Sequence, residues 1–205
     1  MDKKIKKGMY GYRDAHKKRQ ILLVSLFLLV IAALLVSRYF ITWKSLKNLV
    51  TISAILTVLP MANLASPLVA SWKIRTAPRE LYDACRPYGE KFPMLYDLII
   101  TSRDFIMPVD VAVIHPTGVY LYCPKKGIDT KAAEKFLNEM LTGWKLDGNA
   151  RIMTEKKNFL TRLSTLKNVT EDEDDGSAPH VEKLLKSLSI DRKSTRLNSS
   201  HTPQS

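Results

Sequence analysis

Two long apolar runs dominate the pattern of the chain. From Ile21 to Val36 the sole polar residue is Ser25, and the run continues through Arg38, Tyr39 and Phe40 to Ile41. At about 1.5 Å rise per residue this segment is long enough to cross a hydrocarbon core roughly 30 Å thick. A second run, Asn48 to Trp72, is less greasy, with Thr51, Ser53, Thr57, Asn63 and Ser66, yet carries no charge along 25 positions. An uncharged stretch of that length also reads as a span. Thr42 to Lys47 is the short connection, so the pattern predicts a two-span transmembrane helical hairpin over 21–72. Pro60 and Pro67 predict a kink in the second span, because each removes a backbone donor and crowds the preceding turn. Asn63 and the small residues Ala54, Ala62, Ala65 and Ser66 suit close helix contact. Tyr39, Phe40 and Trp43 fall where an interfacial aromatic belt would sit.

Beyond Trp72 the periodicity changes to that of a small α/β domain over 73–190. Pro78 to Cys85 reads as a short helix with Pro at its first turn. Met94 to Thr101 reads as a strand. Val109 to Ile114 and Val119 to Cys123 are rich in β-formers and flank the turn signal His115-Pro116-Thr117-Gly118, which predicts a hairpin. Asp129 or Thr130 can cap a helix through Leu141, with Gly143 just past its end. A short strand at Ala150 to Thr154, a helix from Lys156 to Lys167, a charged spacer at Glu171 to Asp175 and a last helix from Val181 to Ile190 follow. The predicted order is α-β-β-β-α-β-α-α.

Asp191 to His201 resembles the in-frame translation of a common sequencing-library adapter, so 191–205 is set aside from the fold as an artefactual tail.

The net charge of +12 invites a nucleic-acid reading until it is divided along the chain. Met1 to Gln20 holds eight Lys/Arg against Asp2 and Asp14, whereas 73–190 has 18 basic against 17 acidic residues. The basic excess therefore sits where a cytoplasmic flank of a span needs it, and 1–20 reads as that flank, attracted to anionic headgroups. Two spans then bring the chain back to the same side. The expected location is a bacterial-type cytoplasmic membrane with both termini in the cytoplasm, the lipid bilayer as partner and a partner membrane protein as a further candidate through the hairpin. The near-neutral domain speaks against nucleic acid, whose phosphates are bound by clustered Lys and Arg. Cys85 and Cys123 would lie in a reducing compartment, which argues against a disulfide.

A two-residue turn at Pro116-Thr117 sets Gly118 opposite His115 and, further along, Asp110 opposite Cys123. Alternation then puts Val109, Val111, Val113, Tyr120 and Tyr122 on one face. It puts Asp110, Ala112, Ile114, Val119, Leu121, Cys123 and Lys125 on the other, so Asp110, Cys123 and Lys125 converge at one end of that face. The plain reading is a rim ion pair between Asp110 and Lys125, a small core thiol at Cys123, a solvated turn residue at His115, and Tyr120 and Tyr122 as core residues.

At Val109 to Lys125 the chain resembles the PD-(D/E)xK nuclease superfamily, and within it the nuclease-related domain: an Asp opening one strand, a turn ending in Gly, then a Glu-x-Lys pattern closing the next. The resemblance implies a helix-strand-strand-strand-helix-strand core over roughly Pro78 to Leu166. It implies Asp110 as a metal-binding acid and Lys125 as the residue that orients or activates water. Cys123 stands where the second carboxylate belongs, and a mostly protonated thiol is a poor ligand for Mg²⁺. The expectation is a nuclease-like domain without catalysis and without a cofactor, serving binding or scaffolding. A membrane-tethered, Mg²⁺-dependent nuclease is the alternative.

Overall fold

The structure is a computed structural model and describes residues 5–70, 72–102, 104–168 and 176–189. The chain divides into two compact units, one formed by 13–75 and the other by 1–12 together with 76–205. The spacer at Glu171 to Asp175 and the adapter-like tail lie outside the described residues.

The first unit is built from two long helices, α1 (Tyr12–Phe40) and α2 (Lys44–Ala70), both long and apolar enough to cross a membrane. Helix α1 starts well before Ile21, because Tyr12 to Gln20 has no breaker and continues the helix into the basic segment. Apolar side chains point outward from both: Leu22 is 66% exposed, Leu29 65%, Ile55 62% and Leu59 64%. Hydroxyls within these helices bond to their own backbone, Ser37 to the Leu34 carbonyl, Thr51 to that of Lys47 and Thr57 to that of Ser53. Such back-bonding lets a polar side chain sit in apolar surroundings without an unmet donor. Helix α2 runs unbroken through Pro60 and Pro67. Asn63 faces outward from α2.

Basic residues at the start of α1 bond to backbone carbonyls beyond α2. Arg13 donates to the Arg75 carbonyl at 2.9 Å, and Lys17 to those of Trp72 at 2.7 Å and Ile74 at 3.1 Å. These carbonyls follow the C-terminal end of α2, where cations are favoured.

The second unit is a four-stranded sheet between two helical layers. Its elements are α3 (Arg79–Cys85), a 3₁₀ turn (Arg86–Glu90), β1 (Met94–Thr101), β2 (Ile106–His115), β3 (Gly118–Tyr122), α4 (Thr130–Gly143), β4 (Ala150–Met153), α5 (Lys156–Thr165) and α6 (Ala178–Leu188). The sheet order is β1-β2-β3-β4, antiparallel across the first three strands, with β4 parallel to β3 after the α4 crossover. One face packs on Ala133, Leu137 and Leu141 of α4 and Val181, Leu184 and Leu185 of α6. The other packs on Leu81 and Cys85 of α3 and Phe159 and Leu163 of α5. Cover on both faces explains why β2 and β3 are near-continuous runs of Val, Ile, Leu and Tyr.

Turn and cap chemistry fix the ends. Asp129 caps α4 by accepting from the Ala132 backbone N–H at 3.1 Å. The helix includes Gly143, and the left-handed residue that ends it is Lys145, at φ +59°, with Leu146 N–H bonded back to the Leu141 carbonyl. The β2–β3 turn pairs His115 with Gly118 as the spacing demands, and at φ +140° a Cβ on Gly118 would meet the Asn149 carbonyl at 2.3 Å. The outer edge of β4 is closed by α4: Asn138 Oδ1 accepts from Ala150 N at 2.6 Å and Glu134 Oε1 from Ile152 N at 2.8 Å.

Candidate functional site

Alternation along β1 and β2 breaks once in each strand, at residues that face each other. In β1, Leu95 packs toward α4 and α6, Tyr96 toward α3 and α5, and then Leu98 and Ile100 again toward α4 and α6. In β2, Met107 and Val109 share a face with Ala112 and Ile114, while Val111 and Val113 lie on the other. Val109 is therefore not on the face of Val111 and Val113, contrary to strict alternation. The parity changes at Asp97 and Asp110, which fall between the paired positions Tyr96↔Val111 and Leu98↔Val109. Asp97 adopts φ +57°, a left-handed conformation that Asp tolerates better than most residues. Both carboxylates are buried, Asp97 at 1% and Asp110 at 3% exposure.

The Asp97 carboxylate is a clasp. Its Oδ2 accepts from Gly11 N at 2.7 Å and its Oδ1 from Ala77 N at 2.9 Å. Gly11 immediately precedes α1 and Ala77 closely follows α2, so one side chain holds both stretches that bracket the long helices. The segment before α1 is further bound to the sheet. Tyr96 N donates to the Gly8 carbonyl at 2.8 Å, Lys7 Nζ donates to that of Ser189 at 2.6 Å, and Tyr10 stacks on Tyr82 at 4.3 Å and meets Tyr96 edge-on. Residues 5–12 are thus part of the α/β unit. Burial pushes the Tyr96 hydroxyl well above its ordinary value, reinforced by Cys85 and Tyr82 nearby. The signal for this clasp was an acid within Leu95-Tyr96-Asp97-Leu98-Ile99-Ile100, where a lone carboxylate in an apolar strand demands a partner.

At the sequence-predicted cluster, the β2–β3 register ends at Val111↔Tyr122, and Asp110 and Cys123 are the next residue of each segment. Cys123 is fully buried and packs with the α4 and α6 core, and its N–H donates to the Met153 carbonyl at 2.9 Å. Tyr122 lies on the opposite face, and its hydroxyl is raised above the ordinary range, first by burial, then by the Asp110 charge and by Cys123. Lys125 is exposed beyond the strand end, and its ammonium donates to the Ile106 carbonyl at 3.2 Å. An Asp110–Lys125 ion pair is not among those of the described residues, so the rim pairing read from the pattern gives way to this backbone contact. Both cysteines are free and buried. Burial pushes the Cys85 thiol up to about 11, with Lys156 opposing, which keeps it protonated near neutrality.

Mg²⁺, implied by the nuclease resemblance, needs several oxygen ligands. Asp110 supplies one carboxylate and Cys123 a buried thiol, while both oxygens of Asp97 on the facing strand already accept backbone N–H groups. Among the described residues no group of three or more His, Cys, Asp or Glu gathers about a point. This donor set does not fit Mg²⁺. Compared with known protein families, curated proteins and solved structures, the chain matches none.

Proposed function

We propose that this is an integral membrane protein whose α1–α2 hairpin crosses a bacterial-type cytoplasmic membrane, with both termini in the cytoplasm. Its α/β domain is a nuclease-like fold without catalysis that serves binding or scaffolding. The observation that carries the membrane part is the outward display of apolar side chains along two helices of 29 and 27 residues. In water that surface would cost about 25 cal/mol per Å², whereas lipid accommodates it. The Asp97 clasp supports the same-side topology, since stretches bracketing the hairpin bind one carboxylate. The basic excess of Met1 to Gln20 supports the cytoplasmic side.

The poor donor set at Asp110, with a buried thiol where a second carboxylate belongs, supports a domain that does not cleave. Two experiments test the reading. Membranes carrying the full chain are washed with alkaline carbonate, and sealed right-side-out vesicles are treated with protease. Retention in the membrane and protection of everything after Trp72 are expected, and release or digestion would overturn the topology. The full chain in detergent is then assayed on DNA and RNA with Mg²⁺ or Mn²⁺. Cleavage abolished by Asp110→Ala would reinstate the tethered nuclease with Asp110 and Lys125 in its site.

A further inference from the structure

A second polar constellation lies at the other end of the β2–β3 hairpin from Cys123, around the turn. A cleft of about 400 Å³ is lined by residues that include Tyr120, Glu134, Asn149, Arg151 and Arg162. Arg151 of β4 is the register partner of Tyr120 in β3, and Arg162 of α5 lies over the Tyr120 ring at 4.7 Å. Two guanidinium groups from different elements therefore share one cleft with a phenol.

The hydrogen bonds behind Tyr120 have a defined direction. His115 Nε2 lies 3.1 Å from the Lys167 carbonyl, which can only accept, so Nε2 carries a proton. In the neutral ring Nδ1 is then the acceptor, and the Thr117 backbone N–H at 3.1 Å and Oγ1 at 2.7 Å both point to it. With its own proton given to His115, Thr117 Oγ1 accepts from the Tyr120 hydroxyl at 3.1 Å, and the Tyr120 oxygen accepts from Arg162 Nη2 at 2.6 Å. Arg162 is thereby held by a chain of donors and acceptors anchored in the turn. Its Nη1 and Nε make no hydrogen bond to protein among the described residues. Glu134 pairs with Arg151 across 4.0 Å while its Oε1 closes the β4 edge at Ile152 N, so Arg162 is the guanidinium of the cleft without an acidic partner among the described residues.

We propose that this cleft binds a phosphate group, with Arg162 and Arg151 as the two forks and Asn149 beside them. Planar guanidinium forks match phosphate oxygens in paired hydrogen bonds, and the oriented Arg162 loses less freedom on binding than a solvated arginine would. The shared chemistry is a phosphate monoester, whether on a soluble metabolite or on a lipid headgroup.

The test uses the full chain in neutral detergent, titrated by calorimetry with inorganic phosphate, with phenyl phosphate and with short-chain phosphatidic acid. Saturable binding is expected. Arg162→Ala and Arg151→Ala should each weaken it about tenfold, the loss of one charge-assisted contact. Tyr120→Phe should weaken it by a smaller factor while leaving both cations in place. Arg79→Ala, an exposed control on α3, should leave it unchanged. Tighter binding of phenyl phosphate than of phosphatidic acid assigns a soluble ligand, and the reverse order assigns the headgroup. An absence of saturable binding to any of the three, or binding indifferent to both arginine substitutions in folded protein, would overturn the site.

Discussion

The helical hairpin and the α/β unit bury and expose opposite things. Along α1 and α2 many leucines and isoleucines point outward and the Ser37, Thr51 and Thr57 hydroxyls turn back onto their own helix carbonyls. In the α/β unit the apolar strands β2 and β3 are sealed on both faces, and two carboxylates, Asp97 and Asp110, sit inside. The difference is what supports lipid as the proposed solvent of the hairpin and water as that of the α/β unit. A helix satisfies its own backbone and needs only a medium that tolerates its side chains, whereas a sheet unit in water must enclose its apolar surface and then satisfy whatever polar groups it traps.

Asp97→Ala should be the most damaging change. It would leave the Gly11 and Ala77 N–H groups without their acceptor in a buried site, at about 1–3 kcal/mol each, and it removes a residue tolerant of φ +57°. Thermal melting of the full chain in detergent should show a loss of about 4 kcal/mol, with new protease sensitivity within residues 5–12. Asp97→Asn should lose less. A clasp of no importance would give melting curves that overlay the parent's.

Leu29→Arg separates lipid from water directly. In a bilayer the substitution costs about 3 kcal/mol near the helix centre and should lower membrane insertion. For an exposed side chain in water it would cost close to nothing, so unchanged fractionation would break the comparison.

Cys85→Ala probes the enclosed face. The thiol has a raised value in the folded state, so its contribution is complete below about pH 9, the ordinary value, and is lost as pH rises toward about 11. Stability of the parent should fall across that window by about 2 kcal/mol more than that of the variant, measured as urea midpoints against pH. Lys125→Ala should have the smallest effect, under about 0.5 kcal/mol in the same assay, because one exposed ammonium on the Ile106 carbonyl contributes little.

Much of this architecture was written in short-range pattern. The uncharged run from Asn48 to Trp72 and the β-rich segments around Pro116-Thr117 follow from local composition, and the turn length sets Gly118 against His115 without knowledge of anything distant. Strict alternation failed at Val109, because the parity changes where Asp97 and Asp110 fall between the paired positions of β1 and β2, and Asp97 is held there by Gly11 and Ala77, residues that no window of sequence contains together. Lys125 was placed on the face of Asp110 by the same alternation, yet the chain leaves the strand after Tyr122 and its ammonium finds the Ile106 carbonyl instead.

What the sequence determined by itself was where the two long apolar helices and the α/β unit lie, since that follows from side-chain chemistry summed along a continuous stretch. The tertiary structure alone decided that the basic residues before α1 belong partly to the α/β unit, that Asp97 holds Gly11 and Ala77 together, and that His115, Thr117, Tyr120 and Arg162 form one directed chain of hydrogen bonds. Those contacts join residues far apart in sequence, and a hydrogen bond is specified by distance and angle between two groups, neither of which can be read from one group alone.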